Sequence, residues 1–199
     1  MILTTRLSIC LMLKRTSSAI SKKSVVFLIY GSSLGLASLS HADDLYSFGL
    51  EYGIADDQVD VFQVDLVRNI SAWFDERVFN AGSRGIGTGL ELSALHWSHE
   101  LNSLSGVSIG LRFDYELHSL TIQRFTPFFE YSLGMGLISE TVIAMRDMST
   151  AFHFKNQLGL GVRTNRSDFL VRISHFSNAS IAAPNDGLNV LTAGFIVSF

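Results

Sequence analysis

From residue 45 onward, apolar and polar side chains take turns. Over residues 45–53, Tyr46, Phe48, Leu50 and Tyr52 lie on one side, and Ser47, Gly49, Glu51 and Gly53 on the other. A repeat of two is that of a β-strand, whose successive side chains point to opposite faces. Residues 107–115 repeat it, with Val107, Ile109, Leu111, Phe113 and Tyr115 against Ser108, Gly110, Arg112 and Asp114. So do residues 129–137, where Glu130, Ser132, Gly134 and Gly136 form the polar side, and residues 191–199, which end on Phe199. Residues 62–66, 90–94, 152–161 and 169–174 alternate less cleanly, and Asn156 interrupts the third of these. The pattern predicts eight strands. A short turn over residues 165–168 joins the sixth to the seventh. The stretch from Asn69 to Gly87 is long for a turn; it extends the second strand through Ile70, Trp73 and Phe74 or forms a small interfacial helix.

The charges fall on one face. Glu51, Asp65, Glu91, Arg112, Asp114, Glu130, Lys155 and Arg172 all share the side that also carries Gly and Ser. A soluble barrel of the lipocalin kind would turn that face to water. A small membrane barrel turns it inward and gives the apolar face to lipid. Closure pairs every backbone group, which lipid demands and an open sheet cannot provide. The reading adopted is all-β: an eight-stranded antiparallel transmembrane β-barrel of the outer-membrane type. It carries further expectations. The inward charges form a salt-bridge network, Gly134, Gly136, Gly159 and Gly161 make room for bulky inward side chains, and Trp73 and Trp97 sit in an aromatic girdle. His153, His96 and His99 read as lumen or interface residues, not metal ligands.

Composition changes the picture in three ways. The chain has 199 residues, 17% of them charged, fifteen Phe and a mean hydropathy of +0.30, which excludes a disordered chain. Its formal net charge of −3 excludes a basic nucleic-acid binder. No apolar run reaches the roughly 18 uncharged residues of a spanning helix. Residues 1–42 hold Arg6, Lys14, Arg15, Lys22 and Lys23 and no acid, followed by a short apolar stretch and Ser40-His41-Ala42. That is the layout of a signal peptide cleaved after Ala42, with Met1 and Met12 both open as the start. The remaining domain, residues 43–199, keeps ten of the fifteen basic residues and all eighteen acids, a formal charge of −8. Cys10 leaves with the leader, so disulfides do not stabilise the domain. No cofactor, metal or nucleotide motif stands out.

One segment carries chemistry. His175 and Ser177 are two apart and share the face of Phe169, Val171 and Ile173, the side given to lipid. Polar groups there are costly, which favours a functional reading over a packing one. Pro184-Asn185-Asp186-Gly187 then reverses the chain, and Asn189 emerges on the outward face of the last strand. The three side chains converge on one outer patch. A serine hydroxyl becomes a nucleophile when a neighbouring base takes its proton, and His175 is placed to do so. A third group would hold the far ring nitrogen, and N–H donors would hold the oxyanion. Asn178 is the side-chain candidate for the latter. Asp186 is the nearest acid, but it lies in the turn with the opposite parity.

The run His175-Phe-Ser-Asn-Ala with Pro184-Asn-Asp-Gly187 resembles the signature of the outer-membrane lipid A 3-O-deacylase family, PagL. The close likeness covers about the last thirty residues. It implies an eight-stranded barrel in the Gram-negative outer membrane, no cofactor, and lipid A within lipopolysaccharide as the substrate. The resemblance makes His175 the base, Ser177 the nucleophile and Asn178 an oxyanion donor. A backbone N–H at Ser180, where relatives often carry Gly, would be another. The family's acid falls at Asn189, whose amide oxygen can accept from the imidazole but carries no charge. Two alternatives stay open: a barrel of this fold without catalysis, in a structural or surface-interaction role, and a soluble periplasmic lipid-binding barrel. Oligomeric state, a homodimer included, is open too.

Overall fold

A computed structural model describes residues 45–72 and 86–199. The expected leader and its cleavage point, and Trp73 and Phe74, lie outside the described residues.

Among the described residues ten strands follow one another: β1 (Tyr46–Ala55), β2 (Val59–Asn69), β3 (Ile86–Ser98), β4 (Ser103–Glu116), β5 (Thr126–Ile138), β6 (Val142–Ile143), β7 (Arg146–Asp147), β8 (Phe152–Arg163), β9 (Ser167–Ser177) and β10 (Leu188–Ser198). Eight of them close into an antiparallel barrel in the order β1-β10-β9-β8-β5-β4-β3-β2. The eight strands predicted from the alternation are these eight. Two-residue strands β6 and β7 form a separate hairpin inside the β5–β8 connection. The seam is made by β1 and β10, in register from Ser47↔Ser198 to Ala55↔Val190. At one end of the barrel Phe199 N–H donates to Tyr46 O at 2.9 Å. The β1–β2, β3–β4, β5–β8 and β9–β10 connections gather at the other end.

The outward face is apolar and exposed along every strand. Ile54 on β1, Leu92 on β3, Leu133 on β5, Leu160 on β8 and Ile173 on β9 are each more than half exposed. A belt of this extent far exceeds the few hundred Å² of apolar patch that a monomer in water carries. Acyl chains are the solvent that removes its cost.

The lumen holds two levels. At mid-height the Arg172 guanidinium, wholly buried, bonds Glu51 and Glu130 and lies 3.0 Å from Asp65 and 3.2 Å from Glu91. Lys155 reaches Glu91 at 3.1 Å. These strands therefore carry the salt-bridge network that the one-sided charges predict. Gly159 lets Glu130 into it, because a Cβ there would stand 2.6 Å from Glu130 Cγ. A Cβ on Gly161 would meet the Phe128 ring at the same distance. At Gly134 and Gly136 the nearest atoms are instead backbone oxygens of β4, so there the strand itself, not a bulky side chain, takes the space.

Towards the loop end the lumen turns apolar. Val59, Trp97, Leu104, Ile143, Met148, Phe176 and Leu188 form a buried cluster. Trp97 meets Phe176 edge to face, with ring centroids 4.9 Å apart. This corrects the girdle expectation for Trp97, which is 1% exposed. Its odd number on β3 puts it with Glu91 and Ser93, inside, and strand parity overrides the preference of tryptophan for membrane interfaces. The β6–β7 hairpin lowers Ile143 into this cluster, while Met148 just beyond it fills the rest. Asn102 fixes it by donating from Nδ2 to Val142 O (3.1 Å) and accepting the Ala144 N–H (2.9 Å).

The β2–β3 connection begins with one more sheet bond, Ile70 N–H to Thr88 O at 2.9 Å. Ser71 and Ala72 then turn helical, with Asn69 Oδ1 accepting the Ser71 N–H at 2.9 Å as a cap does. His153 lies inside the lumen, and His96 faces outward with Nδ1 2.9 Å from Ser105 Oγ.

Candidate active site

β9 and β10 pair so that His175 stands directly opposite Asn189, and both point outward. The Asn189 Oδ1 atom lies 2.8 Å from His175 Nδ1. An amide oxygen only accepts, so the ring nitrogen facing it must carry the hydrogen, which leaves the Nε2 lone pair free to take a proton. Two residues on, Ser177 closes β9 on the same face, half-buried. Its hydroxyl makes no hydrogen bond to a described residue, including His175.

Beyond Ser177 the backbone leaves the sheet. Ala179 (φ 53°) and Ser180 (φ 63°) are both left-handed. Neither of their N–H groups bonds a described residue. Ile181 N–H closes the bend on Asn178 O at 3.1 Å. The Asn178 side chain points inward and is fully buried, donating from Nδ2 to Met148 O (3.1 Å) and Ala182 O (3.0 Å). Its own N–H goes to Asn185 Oδ1 at 3.1 Å. Asn178 thus pins the bend against the apolar cap, and its amide hydrogens point away from the outward face.

The returning limb is held as firmly. Arg146 Nη1 donates to Asp186 O (3.0 Å) and Gly187 O (3.1 Å), while its Nε meets Asp57 Oδ2 at 2.6 Å. Asp186 caps the hairpin instead of facing the imidazole: its Oδ2 accepts the Asp147 N–H at 2.9 Å. Gly187 is left-handed (φ 53°), and a Cβ there would press on His175 Cε1 at 3.1 Å. Only glycine serves both needs.

Two neighbours of the His175–Asn189 pair were not singled out as site residues from the sequence. Asn156, the residue that breaks the alternation of β8, faces His175 across β8 and β9, and its Oδ1 accepts from Tyr131 Oη at 3.1 Å. The break in the pattern was the signal. Asp56, just past β1, sends Oδ2 to the Asn189 N–H (3.0 Å) and to Asn189 Nδ2 (2.9 Å). Asp56 continues the outward parity of Tyr52 and Ile54, and the β1–β10 register carries it to Asn189, but only once the barrel is closed. Arg146 Nη2 stands 3.7 Å from the same carboxylate oxygen.

The structure therefore brings His175 and Asn189 into contact, puts Ser177 beside them, sets Ser180 on the exposed bend and turns Asn178 inward. Among the described residues no group of three or more His, Cys, Asp and Glu is arranged to hold a metal.

Fold and site define a class: a closed eight-stranded outer-membrane-type barrel with a polar cluster at one end of its outward face. The family model described as lipid A 3-O-deacylase (PagL) matches residues 62–198, and the chain belongs to that family. Among curated relatives, it is 35% identical over 73 residues to the lipid A deacylase PagL of Bordetella bronchiseptica, covering 36% of this chain and 41% of that one. It is 32% identical over 63 residues to the lipid A deacylase PagL of Pseudomonas aeruginosa, covering 31% and 36%. The matched stretch thus spans about two-fifths of the length of these relatives or less. The crystal structure of the outer-membrane enzyme PagL superposes with a TM-score of 0.66 over 77% of this chain and 99% of that one, at 18% identity, and shares its fold.

Proposed function

We propose that this chain hydrolyses the ester-linked 3-position hydroxyacyl chain of lipid A, with Ser177 as nucleophile and His175 as base. The observation that carries the reading is the bond of 2.8 Å between His175 Nδ1 and Asn189 Oδ1, on the lipid-facing side of the barrel. A histidine and two amides exposed to acyl chains do nothing for packing there. The family to which the chain belongs supplies the substrate class.

Ser177 Oγ adds to the ester carbonyl carbon and passes its proton to His175 Nε2. The developing oxyanion takes hydrogen bonds from the N–H groups of the left-handed bend, Ser180 among them, while Asn178 holds that bend in place. The bond from carbon to the sugar oxygen then breaks, and His175 returns the proton to that oxygen. Water, deprotonated by His175, next attacks the acyl-serine; the bond to Oγ breaks, Oγ regains the proton, and a free hydroxy fatty acid leaves. Asn189 keeps the imidazole in the tautomer this cycle needs. The Ser177 hydroxyl is not bonded to His175 before substrate binds, and loose nucleophile–base contacts are common in that state. With both chain ends on the periplasmic side, the site lies at the outer-leaflet level, where the ester-bearing lipid resides.

The test is mass spectrometry of lipid A from cells expressing the wild-type chain, Ser177→Ala and His175→Ala. The expected outcome is loss of one hydroxyacyl group with the wild type alone, each variant falling by about 10⁴-fold or more. Equal release by either variant, or none by a wild-type barrel shown to be folded in the outer membrane, overturns the reading.

A further inference from the structure

We propose that Asp56 is the positioning acid of this site, acting on His175 through Asn189; the proposal rests on the hydrolytic reading above. A carboxylate accepts hydrogen bonds and donates none. The Asp56 Oδ2 atom lies 2.9 Å from one end of the Asn189 amide, so that end must be the NH₂ group. The opposite end, 2.8 Å from His175 Nδ1, must then be the oxygen. A bare asparagine can turn its amide over, donate to Nδ1 and leave the hydrogen on Nε2, where it blocks proton abstraction. Asp56 removes that option. It also holds the Asn189 main-chain N–H at 3.0 Å, so the residue is gripped at two points.

The same carboxylate supplies what asparagine lacks. When Nε2 takes the serine proton the ring becomes a cation, and an amide alone answers it with a dipole. Asp56 places a full negative charge one amide further out, polarising Asn189 along the chain of hydrogen bonds. Arg146, at 3.7 Å, and the β6–β7 hairpin behind it keep the carboxylate in position. Asp56 precedes the stretch that matches the family, residues 62–198, so the family likeness does not point to it.

Steady-state deacylation by the full-length chain, refolded in detergent with lipid A as substrate, tests this. Asp56→Ala is expected to lower kcat about 10- to 100-fold with little change in KM. Asp56→Ala/Asn189→Asp is expected to recover kcat to within about fivefold of wild type, because a carboxylate at residue 189 has no donor end to turn over and meets Nδ1–H directly. A purely structural grip on the β10 strand would not be restored by changing an acceptor on Asn189. Wild-type kcat in Asp56→Ala overturns the proposal, as does a folded double variant no faster than Asp56→Ala. Persisting release by Ser177→Ala, measured alongside, instead overturns the hydrolytic reading on which it rests.

Discussion

The charged middle of the lumen and the apolar cap below the site loops fill the same barrel by opposite means. At mid-height, acids from four strands converge on one guanidinium and one ammonium group supplied by two others. Near the loops, Trp97, Phe176, Ile143 and Met148 pack as in a soluble core. Each level suits its task. Ion pairs at short range demand fixed geometry, so the network locks strand to strand across the lumen and defines the barrel's cross-section. Apolar packing tolerates the irregular backbone of a hairpin, so the cap can seat β6 and β7, and with them Arg146, Asp147 and the Met148 carbonyl that hold the site.

Changes in the two levels should therefore fail differently. Arg172→Leu leaves four buried carboxylates without their shared partner, a loss of about 3–5 kcal/mol or more. It should show as poor refolding and a lower urea midpoint, with activity lost only because the barrel is lost. Trp97→Ala opens the cap and costs about 3–5 kcal/mol in a soluble core. Here the β-barrel should still migrate as a folded, heat-modifiable species, while kcat falls because the hairpin no longer braces the bend at Asn178. A variant Trp97→Ala that unfolds as completely as Arg172→Leu would erase the distinction. The smallest effect is expected of Asp57→Asn. Its carboxylate meets Arg146 Nε at 2.6 Å, but the pair is open to water, with side chains 40% and 26% exposed. Such pairs contribute about 1 kcal/mol or less, so both unfolding midpoint and kcat should stay near wild type. Asp56, one residue earlier, should behave in the opposite way.

The strands were legible because lipid outside and charge inside make alternation clean over nine residues in four of them and recognisable in the rest. The inward network followed from the same parity, without knowledge of which acid meets which base. Trp97 was misread because residue preference was given weight over its position on β3. The hairpin of β6 and β7 left no periodic trace, since two residues cannot show a period. His175 and Asn189 could be paired because a single turn joins their strands. Asp56 could not: 133 residues separate it from Asn189, and their contact depends on the register of a seam that no turn imposes. Asn178 shows a further limit. Its adjacency to Ser177 suggested a donor, whereas the direction of its amide is decided by carbonyls at Met148 and Ala182, which local sequence does not reveal.

The seam between β1 and β10 also has a consequence in time. Asp56 ends the first strand of the barrel and Asn189 opens the last, so the acid reaches its partner only when the two edges zip together. A chain still in transit carries a serine and a histidine on one hairpin and the acid on a free edge. On the roles proposed above, completion of the ring is then the step that assembles the site: Asp56 meets Asn189 only where the barrel finishes closing.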